Sequence, residues 1–274
     1  MKYADLHIHS SYSDGMLSPE EIIELAIKQG VRYISITDHD SISSQYIINK
    51  NDTDVIIIPG IEFSTEYNDL EIHILGYFVD INNEKLNEVV NKLRKSRIER
   101  THKILDKLKD SNVYIDIDEI AIDKDTSIGR GNIANAIVKR GYAENYKEAF
   151  SKYLIKGKSA YVKGEKVSYK EVLNAINAAG GIPVLAHPGK IYRSIETENI
   201  IRELKCYGLK GIEVYHPSHT QEQINNFYNL SKKFKLVITG GSDFHGPNSK
   251  EILLGKYGIN EVLLNKLIKF KQKQ

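Results

Sequence analysis

The chain has 274 residues, with 38 Lys and Arg against 36 Asp and Glu, one Cys and no Trp. This length and a hydrophobic fraction of 41% are typical of a folded protein with a substantial core, and they exclude wholesale disorder. The single cysteine, Cys206, excludes both a disulfide framework and a cysteine-based zinc site. No apolar run approaches the ~18 residues that a membrane helix needs. Because the first residues also lack an apolar signal segment, we expect a cytoplasmic protein.

From the N-terminus onward, short β-branched runs alternate with amphipathic helical patterns. Ser18 and Ser168 each begin a capping-box pattern, which predicts a helix start at both positions. This alternation is typical of an α/β fold in which helices cover parallel strands. With about seven strands, we expect a barrel of the (β/α) type rather than an open sheet. The predicted strands are Tyr3–Ile8, Tyr33–Thr37, Val55–Phe63, Ile72–Val79, Ile182–Ala186, Gly211–Tyr215 and Leu236–Thr239.

The middle of the chain has few strand signals and a different charge. Residues 81–164 carry 18 Lys and Arg against 12 Asp and Glu, whereas the rest of the chain carries 20 against 24. We therefore predict a barrel domain at 1–80 and 165–274 with a helical insertion domain at 81–164. Two interpretations of the basic insertion stay open: a solvated helical cap, or a lid that attracts an anionic substrate. The helices predicted in it are Lys85–Lys109, Asn132–Lys139 and Tyr146–Leu154.

Six of the nine histidines fall on predicted strands or at their ends. His7 and His9 alternate along one strand, so their imidazoles face the same side. Asp14 follows on the loop that leaves this strand. In a parallel barrel, the carboxyl ends of all strands open on one face, where active sites form. The later residues of this kind are His39, Glu62, His73, His187, Asp243 and His245.

A metal centre is the simplest explanation for these nine side chains. Without a metal, burying six imidazoles and three carboxylates together would cost several kcal/mol in unpaired polar groups. Nitrogen and carboxylate ligands without thiolate suit manganese, iron or zinc. Nine ligands exceed what one ion takes, so we expect two to three divalent ions. Such a centre favours a phosphate ligand and predicts attack on phosphorus by metal-bound hydroxide.

The ordered motifs resemble those of the PHP (polymerase and histidinol phosphatase) family. The resemblance implies a distorted (β/α)7 barrel with a trinuclear metal centre and a metal-dependent phosphoesterase activity. It places His7, His9, Glu62 and Asp243 on one metal, Glu62, His73 and His187 on a second, and Asp14, His39 and His245 on a third. The motifs are His7-Ile8-His9-Ser10, Asp14-Gly15, Thr37-Asp38-His39-Asp40, Gly60-Ile61-Glu62, His73, His187-Pro188 and Asp243-Phe244-His245.

The resemblance is strongest to the members that act on 3′,5′-nucleoside bisphosphates, such as 3′-phosphoadenosine 5′-phosphate, and to relatives that trim short RNA from the 5′ end. In those enzymes an arginine of the insertion reaches the substrate phosphate, and Arg130 matches that place. The glycines on both sides of Arg130 and the helix that follows suit an anion independently of any family. Asn132 stands where the family usually has His and is a further candidate for substrate contact.

Two histidines near the end of the chain are further candidates for the site, and two other functions stay open. His216 is a candidate proton donor and His219 a candidate substrate contact, although packing roles are equally open. One rival function is a histidinol-phosphate phosphatase, which would bind a small amine instead of a base. The other is a non-catalytic PHP module that serves polymerase assembly. The expected partner is a small phosphorylated nucleotide or a short oligonucleotide, with neither a membrane nor an obligate protein partner.

Overall fold

The computed structural model describes residues 3–48, 54–120, 126–164, 166–191, 197–246 and 253–274. Strands and helices alternate over most of this length, which confirms the α/β class. The strands are β1 (Ala4–Ile8), β2 (Tyr33–Ile36), β3 (Ile56–Ile57), β4 (Gly60–Tyr67), β5 (Leu70–Tyr77), β6 (Val167–Ser168), β7 (Ile182–Leu185), β8 (Gly211–Tyr215) and β9 (Val237–Gly240). The helices are α1 (Pro19–Lys28), α2 (Ser43–Ile48), α3 (Glu84–Asp110), α4 (Arg130–Lys139), α5 (Tyr146–Ala149), α6 (Tyr169–Ala178), α7 (Thr197–Cys206), α8 (Gln221–Phe234) and α9 (Glu261–Lys271).

The strands form two sheets. The first is parallel throughout, in the order β1-β2-β3, and the second has the order β6-β4-β5-β7-β8-β9. In the second sheet β5 is antiparallel to both β4 and β7, and the other pairs are parallel. The prediction of parallel strands is therefore wrong for β5. The sequence signal for its reversal is Asn68-Asp69, a two-residue turn with φ of 46° and 62°, which Asn and Asp tolerate well.

The predicted strand Val55–Phe63 is two strands in the structure. Ile56–Ile57 belongs to the first sheet, and Gly60 begins a strand of the second. Pro59 lies between them and has no N–H group to continue a ladder of hydrogen bonds. The chain therefore changes sheets at this point.

Single parallel bridges join the two sheets at the ends of their strands. Ile8 pairs with Phe244, and His39 pairs with Glu62. The Asp243 N–H group also donates to the His7 carbonyl at 2.8 Å. These backbone contacts place the ends of β1, β2, β4 and β9 side by side, and seven of the nine predicted metal ligands lie at or near these ends, while His73 lies on β5 and His187 follows β7.

The helical part of residues 81–164 has an apolar cluster of its own. α3 begins at the N-cap Asn83, whose side chain accepts from the Leu86 N–H group at 3.2 Å. Its first half packs against the sheet residues, and its second half contributes Ile104 and Leu108 to a cluster with α4 and the turn after α5. No helix within the described ranges is both long and apolar enough to cross a bilayer.

Candidate metal centre and cationic cavity

The structure brings all nine predicted metal ligands into one ring of side chains, which we call the metal ring. β1 carries His7, and His9 follows it directly, so both imidazoles point to the same side, as the alternation predicted. Glu62 lies on β4 and His73 on the neighbouring β5. The remaining ring members follow strand ends or lie on the loop after β1. They are Asp14, His39, His187, Asp243 and His245.

Glu62 lies at the centre of the ring and is fully buried. Its Oε1 lies 3.0 Å from Nδ1 of His73 and 2.9 Å from Nε2 of His187. Its Oε2 faces three other imidazoles. The distances are 3.2 Å to His7 Nε2, 3.3 Å to His9 Nε2 and 3.0 Å to His39 Nδ1. One carboxylate therefore contacts five of the six ring histidines.

The other two carboxylates face the two ring nitrogens of His9. Asp243 Oδ1 lies 3.2 Å from His9 Nε2, and Asp14 Oδ1 lies 3.7 Å from His9 Nδ1. Nε2 of His245 lies 3.3 Å from the same oxygen of Asp14. His9 therefore connects the group around Glu62 with the group around Asp14.

Several buried ring atoms make no hydrogen bond of acceptable geometry to the residues that the structure describes. Such buried polar atoms are rare in folded proteins because each costs free energy. Nitrogen and carboxylate oxygen are ligands for divalent transition metals, so ions at the ring would satisfy these atoms. The atoms are Nε2 of His7, both ring nitrogens of His9, Oδ1 of Asp14, Nδ1 of His39 and Oε2 of Glu62.

The donor atoms form four overlapping sets that are compact enough for metal ions. Within each set all donor atoms lie within 4.8 Å of one another. His9 occurs in two sets and Glu62 in two, so neighbouring sets share ligands. The sets are His9, Asp14, His39 and His245; His7, His9 and Asp243; His7, Glu62 and His187; and His39, Glu62 and His73.

Burial and neighbouring charges act on the ring histidines in opposite directions. Burial opposes protonation of His73, but Glu62 outweighs it and raises the pKa of His73 to about 10. Burial also opposes the charge on His245, which Asp14 outweighs, so its pKa rises to about 9. At His187 burial prevails and lowers the pKa to about 4. Since protons and metal ions compete for these nitrogens, metal binding at the ring is expected to weaken in acid.

The backbone at the ring adopts conformations that non-glycine residues rarely take. φ is 52° at Asp40, 24° at His187 and 52° at Asp243. Each such residue costs on the order of 1 kcal/mol or more, and residues of this kind cluster at functional sites. The N–H groups of Asp40 and Asp243 donate to the carbonyls of Glu62 and His7, both at 2.8 Å, and these bonds help to hold the two positions in place.

The sequence prediction missed Glu213, a buried carboxylate of β8 that supports the ring. Its Oε1 lies 3.0 Å from His7 Nδ1, and its Oε2 accepts from the His187 N–H group at 2.7 Å. Burial alone would raise the pKa of Glu213, but His7 outweighs it and lowers the pKa to about 2. A carboxylate on the second nitrogen of a metal-binding imidazole fixes its orientation and its tautomer.

Lys190, which the prediction also missed, reaches Asp243 from the turn after His187. Its Nζ contacts Asp243 Oδ2, an oxygen that His216 Nε2 also approaches at 3.2 Å. Asp243 therefore directs Oδ1 towards His9 of the ring and Oδ2 towards Lys190 and His216.

A cavity of about 200 Å³ opens beside the metal ring. Asp14, His39 and His73 of the ring line one side of it. Four basic side chains also line it, among other residues that include Glu71, Tyr146 and Phe150, and we call it the cationic cavity. The basic side chains are Arg97, Arg100, Arg130 and Lys166. Their charges make the cavity suited to an anion that reaches the ring.

Two of these arginines lie one turn apart on α3 and are held by hydrogen bonds. Arg97 Nε donates to Asp40 Oδ2 at 2.7 Å. Arg100 Nε donates to the Val162 carbonyl at 3.0 Å. Burial, together with the charges of Arg130 and Arg97, lowers the pKa of Arg100 to about 10. Because the guanidinium groups repel one another, a bound anion would relieve the repulsion.

Arg130 is the first residue of α4 and faces the cationic cavity. Its guanidinium lies 4.0 Å from Glu71 Oε1 and 6.0 Å from the centre of the Phe150 ring. A Cβ atom at Gly131 would lie 3.0 Å from the Asp14 side chain, so this helix start packs directly against the ring. Arg130 therefore lies in the cavity beside Asp14, and its predicted contact with a substrate phosphate stays a prediction.

Asn132 lies near Arg130, but its side chain is used inside the protein. Its Oδ1 accepts from the Gly129 N–H group at 2.7 Å, and its Nδ2 donates to the Ser13 carbonyl at 2.6 Å. Asn132 is not among the residues that line the cationic cavity. The structure shows it joining the start of α4 to the loop after β1.

His216 and His219 are both buried behind the ring. His216 Nδ1 accepts from the Ser218 N–H group at 3.0 Å, which leaves its Nε2 to donate to Asp243. His219 Nδ1 donates to the Val214 carbonyl at 2.9 Å, and its Nε2 accepts from the Gly189 N–H group at 3.1 Å. Both nitrogens of His219 therefore have protein partners.

Comparison with known proteins identifies the family of the chain. The family pattern described as PHP domain matches residues 5–178. The chain belongs to the PHP domain family. A solved structure from Bifidobacterium adolescentis, described as a proposed metal-dependent phosphoesterase, is similar to this PHP chain. That structure has a TM-score of 0.85 and 27% identity, and the match covers 97% of this PHP chain and 96% of the other.

Two curated relatives match this PHP chain over most of both lengths. A protein of Haemophilus influenzae named 5′-3′ exoribonuclease is 33% identical, covering 90% of this chain and 91% of the relative. A protein of Chromobacterium violaceum named 3′,5′-nucleoside bisphosphate phosphatase is 30% identical, covering 90% and 88%. Both names describe the hydrolysis of phosphate esters of nucleotides.

Proposed function

We propose that this PHP domain protein is a metal-dependent phosphoesterase that hydrolyses phosphate esters of small nucleotides. Its substrates are 3′,5′-nucleoside bisphosphates or the 5′ ends of short oligonucleotides. The main support for this proposal is that Asp14, His39 and His73 belong to the metal ring and also line the cationic cavity. A phosphate at this boundary would meet the ring on one side and guanidinium groups on the other.

The nine ring residues would hold two to three ions of manganese, iron or zinc. We assign His7, His9, Glu62 and Asp243 to one ion, Glu62, His73 and His187 to a second, and Asp14, His39 and His245 to a third. Ions bound there would activate water and stabilise the charged oxygens of the phosphoryl group. The central position of Glu62, with one oxygen near His73 and His187 and the other near His7 and His9, supports its sharing between two ions.

The chain's own residues would select and hold the substrate. Arg130 would bind a second phosphate through its planar fork of N–H groups. Arg97 and Arg100 would add positive potential from fixed positions, because Asp40 and the Val162 carbonyl already hold them. His216 would donate the hydrogen on Nε2 to Asp243 and so keep this carboxylate oriented.

The wider architecture is part of the same proposal. We infer that the two sheets close into a distorted (β/α)7 barrel, supported by the bridges Ile8 to Phe244 and His39 to Glu62. Residues 81–164 would form a helical insertion domain over its mouth, supported by the apolar cluster built from 104–160. A cytoplasmic location fits a chain whose single cysteine, Cys206, has no second thiol to pair with.

The proposal is tested by phosphate release from a panel of substrates after reconstitution with manganese, iron or zinc. The panel contains 3′-phosphoadenosine 5′-phosphate, 5′-phosphorylated short RNA, adenosine monophosphate and histidinol phosphate. We expect the bisphosphate or the RNA to have the highest kcat/KM. A higher value for histidinol phosphate would contradict the choice of substrate. Absence of hydrolysis with every metal and substrate would contradict the enzyme itself and favour a non-catalytic role in polymerase assembly.

A further inference from the structure

A second cavity, of about 410 Å³, lies on the other side of Asp40 from the metal ring. We call it the tyrosine cavity. Its size exceeds that of the cationic cavity, and nothing in the proposed metal or phosphate chemistry uses it. Its lining includes Tyr12, Tyr46, Asn87, Val90, Asn91 and Ser127.

The two cavities are neighbours along a single helix. Asp40 lines both of them. On α3, Asn87, Val90, Asn91 and Arg94 line the tyrosine cavity, and Leu93, Ser96, Arg97 and Arg100 line the cationic cavity. At 1.5 Å per residue, this stretch of helix is about 20 Å long, the length of a few nucleotide units. Asp40 and α3 therefore form a common wall of the two cavities, which lie next to each other.

The two cavities differ in charge. The cationic cavity has four basic side chains in addition to the aromatic rings of Tyr146 and Phe150. The charged residues lining the tyrosine cavity are Asp40 and Arg94, and Asp40 is already bound to Arg97 at 2.7 Å. Its other lining groups are aromatic, apolar, amide and hydroxyl. This composition suits a neutral, flat, hydrogen-bonding group and does not suit a phosphate.

Tyr46 provides a fixed aromatic surface in the tyrosine cavity. It is 45% exposed although it is a large side chain, and its hydroxyl donates to the Ile81 carbonyl at 3.1 Å. The Asn87 amide donates to the same carbonyl at 2.8 Å. A ring held at its hydroxyl keeps its orientation without a ligand, so stacking a base on it costs little ordering.

Ser127 independently indicates that the tyrosine cavity binds a polar group. Its side chain lines the tyrosine cavity, and the residue is only 2% exposed. Its hydroxyl is buried and has no hydrogen-bond partner among the described residues. The Ser127 N–H group donates to the Tyr12 carbonyl at 2.8 Å, so this wall is tied to the loop that carries Asp14.

We propose that the tyrosine cavity binds the nucleoside part of the substrate, with the base against Tyr46, while its phosphates occupy the cationic cavity and the ring. The inference deepens the proposed function and rests on it for the identity of the phosphate. The base comes either from the nucleotide being hydrolysed or from the next nucleotide of an oligonucleotide. In both cases the tyrosine cavity recognises the same chemistry.

Binding of a nucleoside without phosphate tests the proposal independently of catalysis. The probe is adenosine, measured by equilibrium dialysis with the metal-stripped full chain. We expect Tyr46→Leu to weaken adenosine binding roughly tenfold or more, because stacking on an aromatic ring is lost. Tyr46→Phe keeps the ring and should stay close to the wild type. Tyr114→Leu is the matched control, since Tyr114 is exposed and lines neither cavity.

Kinetics then distinguish the two sources of the base. The substrates are 3′-phosphoadenosine 5′-phosphate, a 5′-phosphorylated dinucleotide and p-nitrophenyl phosphate. We expect Tyr46→Leu to lower kcat/KM roughly tenfold more for a nucleotide than for p-nitrophenyl phosphate. Loss with both nucleotides places the hydrolysed nucleotide in the cavity. Loss with the dinucleotide alone places the next nucleotide there.

The proposal fails if Tyr46→Leu binds adenosine as well as the wild type, or if it lowers kcat/KM equally for all three substrates. Circular dichroism and thermal unfolding show whether the variant is folded. If Tyr46→Leu does not fold, Asn91→Leu replaces it, because Asn91 lines the tyrosine cavity from the exposed face of α3 and the substitution removes an amide that can hydrogen-bond to the base. It is then expected to weaken adenosine binding and to lower kcat/KM more for a nucleotide than for p-nitrophenyl phosphate. Failure of the proposed function is recognised separately, since wild-type protein would then hydrolyse no nucleotide while adenosine binding could still be measured.

Discussion

The metal ring and the cationic cavity share residues but are built differently. Backbone hydrogen bonds near strand ends position the residues of the ring. In one of them the Asp40 N–H group donates to the Glu62 carbonyl at 2.8 Å. The basic groups of the cavity come from α3, the start of α4 and the segment before β6, and side-chain contacts hold them, as Asp40 holds Arg97. We infer that changes in the ring abolish hydrolysis in general, whereas changes in the cavity alter the choice of substrate.

The largest expected effect is that of Glu62→Gln. Removing the charge from the carboxylate that contacts five imidazoles should lower metal content and reduce kcat/KM about a thousandfold or more for every substrate. Metal analysis and phosphate release measure the two effects. Glu171→Gln, which changes an exposed carboxylate paired with Lys92, is the control and should behave as the wild type. A Glu62→Gln variant with full metal content and full activity would contradict the role of the ring.

The next effect in size separates the cavity from the ring. Arg130→Ala should lower kcat/KM for 3′-phosphoadenosine 5′-phosphate on the order of a hundredfold, because a charge-assisted contact to the second phosphate is lost. Hydrolysis of p-nitrophenyl phosphate should change far less. Arg202→Ala, at an exposed arginine paired with Glu198, is the matched control. Equal loss on both substrates would remove Arg130 from the role of phosphate clamp.

Glu213→Gln tests how strongly metal binding at the ring depends on the contact between Glu213 and His7. Because Glu213 orients His7, the substitution should weaken metal binding about 10- to 100-fold. The pKa of Glu213 is lowered from its ordinary 4.5 to about 2. Its contribution to stability is therefore fully present above about pH 4.5 and is lost as the pH falls towards 2.

The same variant should unfold with less dependence on pH in that range. Thermal unfolding of the metal-stripped protein between pH 2 and pH 5 measures this slope, and a metal titration measures affinity. Wild-type and Glu213→Gln proteins with identical slopes and identical metal affinity would show that Glu213 is not coupled to His7.

The smallest effect concerns Glu71, the half-exposed carboxylate of the cationic cavity. It lies 3.0 Å from Lys166 and 4.0 Å from Arg130, where it offsets part of the positive charge. Glu71→Gln should lower KM for anionic nucleotides about two- to fivefold, since screened contacts of this kind contribute little. A higher KM would mean that Glu71 is needed to hold the basic groups in place.

The ring could be predicted from sequence because its signals are local. The alternation of His7 and His9 on a strand and the acids and imidazoles at strand ends need no knowledge of distant contacts. Glu213 gave no such signal, because it lies inside a strand and its partner His7 is 206 residues away. Arg97 and Arg100 could not be separated from the other charges of α3 before the packing of that helix was known.

The division and direction of the strands were also only partly predictable from the sequence. Val55–Phe63 reads as one β-branched run, but Pro59 divides it between two sheets. The Asn68-Asp69 turn predicts an antiparallel hairpin, yet the surrounding pattern of strands and helices favoured parallel pairing. In both cases a local signal, Pro59 or the Asn68-Asp69 turn, decided against the wider pattern of the sequence.

The most direct test of the account is anomalous diffraction from crystals of the protein reconstituted with manganese. We predict two to three anomalous peaks within the ring, each in contact with imidazole and carboxylate groups, and one of them shared at Glu62. Absence of peaks from the ring in crystals of protein that binds manganese in solution, or peaks only at surface carboxylates, would contradict it.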